Sequence, residues 1–461
     1  MVSPEGNLAP RSRLWARRRH PALTHLLRTL HPAVGQDGAR AFDAIVADTI
    51  SRYADDPSPS PEAPTLMGLP RRLGGLGLFR QAEVHAVAAA ASVVQAAGVL
   101  EGRGMPLSRR TTHVAIGGAI QDCAAALDLA PEVLLSQEHW ADPNIQRRAS
   151  ARGHEATWRA LFHRLDDPDR LRLLEASGAG ARAWLDATPI QGLSLLSNEQ
   201  ARYALRRGML SRFVEVCPHS RCPHCPGTPD SPTHHLHCSI TQPQRTLRHT
   251  AIKAALATKL AEGGHPVGLE VPVGFFTDEG RLQVHRIIAD ITAMIDGRLE
   301  RIDVSVAAVP APTTPIQWPS DADAIAAVQD SRRLTAGQGA AALRWDDRLE
   351  EGVHPDVQHT REFRALALAR AVLPALKTRE DLKRTHYQKG HVSVWPFVLS
   401  ASGVLGPAAK ALLDAATFQR HPEDAAAQAS FRAHLLHRIS VILVQHSSRM
   451  ASTAIGRTPC A

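Results

Sequence analysis

The sequence predicts an α+β protein that is mostly helical, with a small mixed sheet in its second half. Apolar residues make up 44% of the chain and aromatic residues only 4%, which favours aliphatic helical cores. Residues 267–309 differ, because they form short Val- and Ile-rich runs with period-two alternation, and an Asp296-Gly297 turn signal separates two of the runs. A length of 461 residues indicates two or three domains.

The helices are predicted from apolar residues that recur at helical spacing. Before the strands, helices are predicted near 39–53, 81–100, 117–130, 155–175, 197–208 and 247–261. After the strands, they are predicted near 324–330, 360–376, 407–417 and 423–448. Proline-rich stretches at 55–64 and 310–319 predict exposed loops or linkers.

The chain is basic, with a formal net charge of +8 and a pI of about 9.5. This charge fits a polyanionic partner, and it fits a basic surface without a specific ligand equally well. We expect a soluble, intracellular protein without membrane contact, because residues 1–20 are Arg-rich without an apolar core and no apolar run approaches membrane-spanning length. Arginine supplies almost all of the basic excess, and the only lysines are Lys253, Lys259, Lys377, Lys383, Lys389 and Lys410.

A cluster of soft ligands predicts a zinc site. Cys222, Cys225, His234 and Cys238 follow the spacing C-x2-C-x8-H-x3-C within a Pro-, Gly- and Ser-rich stretch. Zinc is held by two such pairs, each closed by a short turn. We expect a structural zinc ion, because four protein ligands leave no open position for chemistry.

Other residues of the same segment are alternative ligands. Cys217 lies five residues before Cys222 and competes for the first pair, and His235 is the most natural exchange for His234. A chance cluster or a disulfide pair is the alternative to a metal site.

The tetrad Tyr53-Ala-Asp-Asp56 spells a polymerase signature, but it has no strand on either side. Ser51-Arg52 precede it and a Pro/Ser stretch follows, so we interpret it as a helix end that enters a loop. Asp55 and Asp56 are therefore not counted as catalytic.

Several motifs occur in the order that is found in one known family. They are LPRRLGGLGL at 69–78, the Cys/His cluster, Arg248-His249, the pair Asp290 and Asp303, and VWPFV with the Gly-containing segment at 394–406. In this order they resemble the C-terminal part of a non-LTR retrotransposon reverse transcriptase polyprotein, of the subclass with a zinc knuckle and a restriction-like endonuclease. The polymerase palm has no counterpart here, so the resemblance does not imply a working polymerase.

The resemblance implies five regions and a sheet of restriction-endonuclease-like type. The regions are a basic helical segment with a Pro/Ser loop (1–68), an Ala-rich helical region (69–212), the zinc knuckle (213–245), the endonuclease-like region (246–350) and a C-terminal helical region (351–461).

The resemblance also implies a nuclease site. Asp290 and Asp303 are separated by twelve intervening residues. They would hold Mg²⁺ or Mn²⁺ together with Glu270, and His249 would lie near them. Such a site also uses a lysine near the metal, which in this subclass can lie on a later helix. Ser305 stands where that lysine often lies, and no lysine occurs between Lys259 and Lys377. We therefore expect binding rather than cleavage, with Mn²⁺ as the better test ion.

The nucleic-acid contacts are assigned to arginines that flank the knuckle, which are Arg206, Arg207, Arg245 and Arg248. Phosphate contacts of this kind are salt-dependent and largely blind to sequence. The partners implied are DNA and RNA, and the location implied is the nucleus. The alternative hypothesis is a zinc-containing module without enzymatic activity, which binds nucleic acid or another protein.

Overall fold

The structure of this chain is a computed structural model. It describes residues 28–56, 59–78, 80–105, 109–127, 129–134, 144–191, 193–211, 234–236, 238–276, 282–307, 309, 316–329, 355–388 and 392–456. The chain divides into two compact units, the first formed by Met1–Arg164 with Leu349–Arg361 and the second by Leu165–Arg348 with Glu362–Ala461. As predicted, the described chain is mostly helical and contains one small mixed sheet.

Within the described residues, six helices lie in the first unit and precede the sheet. They are α1 (Pro32–Ala54), α2 (Ala63–Gly68), α3 (Gln81–Gly102), α4 (Arg109–Leu127), α5 (Pro131–Leu134) and α6 (Ile145–Arg164). Ala54 of the YADD tetrad ends α1, and Asp55 follows with a φ of 49°, so the tetrad is a helix end and the prediction is confirmed.

Among the described residues, α3 is the one helix whose length and hydropathy would allow it to cross a membrane. The sequence-based expectation that no apolar run approaches this length therefore has one exception. Val87, Ala90 and Val94 of α3 are buried in a cluster with Ile120 of α4 and Ala149 of α6. Packing in this core accounts for the apolar composition of α3.

The Gly-rich segment after α2 forms a tight turn within the first unit. The Leu76 amide donates to the Leu66 carbonyl, and a Cβ at Gly75 would lie 2.0 Å from the Leu69 carbonyl oxygen. Only glycine fits such a close backbone approach.

The second unit contains the remaining helices and all four strands. Before the sheet lie α7 (Asp167–Ala176), α8 (Asn198–Gly208) and α9 (Gln242–Glu262), and the strands are β1 (Val267–Phe276), β2 (Leu282–Ile295), β3 (Arg298–Ala307) and β4 (Trp395–Ser400). The other helices are α10 (Asp321–Gln329), α11 (Pro355–Ala371, which begins in the first unit), α12 (Leu373–Gln388), α13 (Pro407–Arg420) and α14 (Ala425–Gly456).

Two predicted helices are divided in the structure, so those boundaries were wrong. The segment 155–175 contains a break at Asp166, whose side chain accepts a hydrogen bond from the Asp169 amide and caps α7. The segment 360–376 contains a break at Val372, after which α12 begins with Pro374 in its first turn. The prediction also missed most of α12.

The strand order is β1-β2-β3-β4, with antiparallel pairing along β1, β2 and β3 and parallel pairing of β3 with β4. Asp296 and Gly297 join β2 to β3 with φ angles of 51° and 71°, which is the two-residue hairpin that the sequence predicted.

The two faces of the sheet are covered by different helices. Ile302 and Val304 of β3 are buried in a core with residues of α9, α13 and α14. Asp303 and Ser305, which alternate with them, contact Lys383 and Arg379 of α12. Because successive side chains of a strand point to opposite faces, α9 and α12 lie on opposite sides of β3.

Candidate nuclease-like site and nucleic-acid interface

Asp290 is held at the end of the β2–β3 ladder. The last strand pair is Ile291 with Ile302, and Asp290 lies one residue beyond it. The Val304 amide donates to Asp290 Oδ2 at 2.8 Å, and His249 Nε2 of α9 lies 3.0 Å from the same oxygen and 3.1 Å from the Val304 carbonyl oxygen. Because both neighbours of Nε2 are acceptors, this nitrogen carries the proton.

These contacts set the ionisation of Asp290. Burial alone would raise the pKa of Asp290, but the hydrogen bond and charge of His249 lower it. The Val304 amide and the charge of Lys253 act in the same direction, and the pKa lies below its usual value. The carboxylate is therefore ionised at neutral pH.

Glu270 lies opposite this region on β1 and is bound by Lys253. Lys253 Nζ lies 2.5 Å from Glu270 Oε1, and the lysine follows His249 by one turn of α9. Glu270 has a φ of 51° and lies between the pairs Leu269–Ile291 and Val271–Ala289, opposite Asp290, and the β1–β2 register is unchanged across it. A non-glycine residue with positive φ inside a strand is strained backbone, which is found most often at functional sites.

Asp303 is held from the other side of the sheet. Lys383 Nζ of α12 lies 2.6 Å from Asp303 Oδ1, and the two side chains are 24% and 9% exposed. Tyr387, one turn further along α12, is buried and donates to the Ile288 carbonyl at 2.9 Å. Burial raises the pKa of Tyr387, and the negative charges of Asp303 and Asp290 raise it further, so both carboxylates lie near this ring.

His249 therefore contacts Asp290, while Glu270 is bound by Lys253 and Asp303 by Lys383. Asp290 is contacted from α9 and Asp303 from α12, on opposite sides of β3. Among the side chains that the structure describes, no three His, Cys, Asp or Glu residues lie together as a metal-binding group. The convergence of Asp290, Asp303 and Glu270 on one metal ion therefore stays a prediction.

The lysines of this site were missed at the sequence level. Lys253 lies on the helix after the Cys/His segment, and Lys383 lies eighty positions after Asp303 on a helix that was not predicted. The spacing of Lys253 and His249, one helical turn apart, was a signal that both side chains share a face of α9. No local signal connects Lys383 with Asp303.

Half of the predicted zinc ligands lie in the described residues. Cys222 and Cys225, with Cys217, lie outside them. His234 and Cys238 are both buried, and the Cys238 amide donates to the His234 carbonyl at 3.0 Å, which closes a tight turn between them. His235 Nε2 lies 2.7 Å from the Tyr203 hydroxyl of α8, so this ring is engaged with α8.

The four arginines assigned to nucleic acid differ in exposure. Arg206, Arg207 and Arg245 are half-buried, whereas Arg248 is buried at 3% exposure and does not lie on an open surface. Burial lowers the pKa of Arg248 to about 10. The charge of Tyr203 opposes this lowering, and the positive charges of Arg207 and Arg245 add to it. Three guanidinium groups therefore lie close together where α8 and α9 meet.

Comparison of the sequence with models of known protein families gives no match, and comparison with curated proteins gives none either.

Proposed function

We propose that this chain binds nucleic acid through the arginines around the α8–α9 junction, and that it is related to the C-terminal part of a retrotransposon polyprotein. The sheet would be a restriction-endonuclease-like scaffold, and the Cys/His segment a zinc knuckle that fixes α8 relative to α9. The observation that carries the proposal is the concentration of Arg207, Arg245 and Arg248 at this junction: burial is the main cause of the lowered pKa of Arg248, and the charges of Arg207 and Arg245 add to it.

The electrostatics of this junction support a polyanionic partner. Like charges that lie close together repel, and phosphate groups of a nucleic acid relieve that repulsion while they release counterions. Arg206 and Arg207 occupy the last turn of α8, where the helix dipole also stabilises positive charge. Arg245 lies in the first turn of α9, where the dipole gives no such compensation.

The zinc proposal is supported by the turn between His234 and Cys238. A nitrogen and a sulfur ligand on one short buried turn match the second half of a tetrahedral site. His234 stays the assigned ligand on its spacing from Cys238, while His235 contacts Tyr203 of α8. When bound, zinc would stabilise the knuckle rather than take part in chemistry.

The nuclease-like site offers donors that suit a divalent metal ion, but each of them already has a basic partner. Mg²⁺ and Mn²⁺ prefer carboxylate oxygens, which Asp290, Asp303 and Glu270 supply. In this arrangement each carboxylate is instead engaged by His249, Lys383 or Lys253. We therefore propose that binding is the main activity and that any metal-dependent nicking is weak.

The binding proposal is tested by fluorescence anisotropy with labelled duplex and single-stranded DNA across a series of salt concentrations. We expect affinity to fall steeply with salt, and Arg206→Gln and Arg245→Gln each to reduce the slope of log K against log salt by about 1. Arg420→Gln is the matched control, because Arg420 ends α13 near Gly264, at the opposite end of α9 from Arg245. Affinity that is independent of salt would contradict the proposal.

Cleavage is tested separately with supercoiled plasmid and either Mg²⁺ or Mn²⁺. We expect little nicking, and we expect Asp303→Ala to abolish what there is, while Asp321→Ala at the start of α10 changes nothing. Strong cleavage that survives Asp303→Ala would refute the nuclease-like assignment and leave the binding proposal unaffected.

A further inference from the structure

A cavity in the second unit is lined by three arginine side chains from separate elements. Arg172 comes from α7, Arg182 from the residue before a 3-10 turn at Ala183–Leu185, and Arg207 from the last turn of α8. Ser402, in the turn after β4, and Ser440 and Ser447 of α14 also line the cavity, together with apolar residues that include Trp184 and Leu443. The cavity is thus built by the tertiary fold and not by one local motif.

The three guanidinium groups are held in position by hydrogen bonds to oxygens of neighbouring residues. Their acceptors are the carbonyls of Leu210 and Ser211 for Arg172 (both 3.1 Å), the carbonyl of Gly208 for Arg182 (3.2 Å), and the Ser402 hydroxyl for Arg207 (2.6 Å). A ligand would therefore meet donors that are already ordered, which reduces the entropic cost of binding.

The positive charge of the cavity exceeds the negative charge around it. Asp169 lies 2.9 Å from Arg172, and Glu175, which is buried, lies near Arg207. Even with both carboxylates ionised, three guanidinium groups leave an excess of positive charge. Burial lowers the pKa of Arg182 to about 9, and the charges of Arg207 and Arg172 add to the lowering.

Ser447 supplies an independent sign of a ligand. Its side chain is 1% exposed, it lines the cavity, and its hydroxyl has no hydrogen-bond partner in the part of the chain that the structure describes. Buried hydroxyls are nearly always hydrogen-bonded, so an orphaned one beside three guanidinium groups indicates a missing partner with acceptor atoms.

We propose that this cavity binds a phosphate group, either as inorganic phosphate or as a phosphomonoester such as the 5′ end of a nucleic acid. A terminal phosphate carries close to two negative charges and several acceptor oxygens, which match the guanidinium groups and the Ser447 hydroxyl. The inference deepens the proposed function and rests on it in part, because Arg207 belongs both to the cavity and to the nucleic-acid surface.

The test is isothermal titration of the full chain with inorganic phosphate against chloride at equal ionic strength. We expect phosphate to bind, and both Arg207→Gln and Ser447→Val to weaken binding by about tenfold or more, since a hydrogen bond to a charged group contributes roughly that factor. Arg420→Gln is the matched control, because it removes the same charge from the exposed end of α13 and Arg420 does not line the cavity. Ser447→Val leaves every charge in place, so it remains informative if Arg207→Gln is unstable.

A competition assay with two oligonucleotides identifies the source of the phosphate. Short single-stranded oligonucleotides with a 5′-phosphate or a 5′-hydroxyl compete with inorganic phosphate for the wild-type chain. A better competitor with the 5′-phosphate supports a nucleic-acid end as the ligand, and equal competitors support a free phosphate. Absence of phosphate binding, or binding that both cavity variants retain, would overturn the inference, while salt-dependent DNA binding would still stand on its own assay.

Discussion

Replacement of Lys383 by methionine should destabilise the second unit, because Asp303 would lose its cationic partner. The Lys383–Asp303 pair is neither a surface pair nor a fully buried one, with side-chain exposures of 24% and 9%. Exposed ion pairs contribute at most about 1 kcal/mol to the free energy of unfolding, whereas removal of one partner from a buried ion pair lowers it by about 3–5 kcal/mol. Asp303 also lies in β3, an inner strand, so water cannot easily replace the ammonium group. We expect Lys383→Met to lower the free energy of unfolding by about 2 kcal/mol.

The assay is a double-mutant cycle of Lys383→Met and Asp303→Asn, followed by urea unfolding with far-UV circular dichroism. The double variant should lose less stability than the sum of the single variants, by about 1–2 kcal/mol, because the unpaired carboxylate is then absent. Lys377→Met, an exposed lysine of the same helix, is the control and should stay within about 0.5 kcal/mol of wild type. Additive effects, or a Lys383→Met variant as stable as the control, would refute the reasoning.

Two further predictions concern the knuckle and the hairpin. Metal analysis should find close to one zinc ion per chain in wild type, and the Cys238→Ser and Cys222→Ser variants should lose it. The control variant Cys123→Ser lies outside the cluster and should keep its zinc. Full zinc content in the cluster variants would exclude the site. Gly297→Ala should lower the free energy of unfolding by about 1 kcal/mol through backbone strain alone, because a Cβ there would meet no described atom within 4 Å while φ is 71°. Unchanged urea midpoints for Gly297→Ala would contradict the positive-φ turn.

Local signals in the sequence were sufficient for the hairpin and for most helices. Asp296-Gly297 predicts a two-residue turn because both residues tolerate positive φ, and the structure has that turn. The break before α7 also has a sequence signal, because Asp166 followed by Pro168 is typical of a helix start. The prediction nevertheless placed one continuous helix across this position.

Elements that depend on distant partners were not predictable in this way. β4 is only six residues long and contains Pro396, which argues against an inner strand. Proline is tolerated there because, among the described strands, β4 pairs with β3 alone and forms the edge of the sheet. β4 pairs in parallel with β3 although a long connection through α11 and α12 separates the two strands in the sequence. No short-range sequence pattern predicts such a contact.

The same reasoning applies to the lysines of the candidate site. The nuclease motif expects a lysine two residues after Asp303, where this chain has Ser305, so the motif alone indicates a loss of positive charge. The fold supplies that charge from α12, since Lys383 contacts Asp303 and Arg379 Nε donates to the Ser305 hydroxyl at 2.8 Å. Spacing along the chain therefore understates the positive charge around Asp303.

The pH dependence of stability should report the environment of Asp290. Its pKa is lower in the folded chain than in the unfolded chain, so its contribution to stability is complete above the unfolded value of about 3.9 and is lost as pH falls through the folded value. Wild type should therefore lose stability below about pH 4 more steeply than Asp290→Asn, by at most about 1.4 kcal/mol per pH unit for one proton. Urea midpoints measured between about pH 3 and pH 6 give the two slopes. Asp321→Asn is the control, because Asp321 lies in the exposed first turn of α10, away from His249. Equal slopes for wild type and Asp290→Asn would show that His249 and the Val304 amide do not stabilise the carboxylate, and the contacts at the end of the β2–β3 ladder would then need a different explanation.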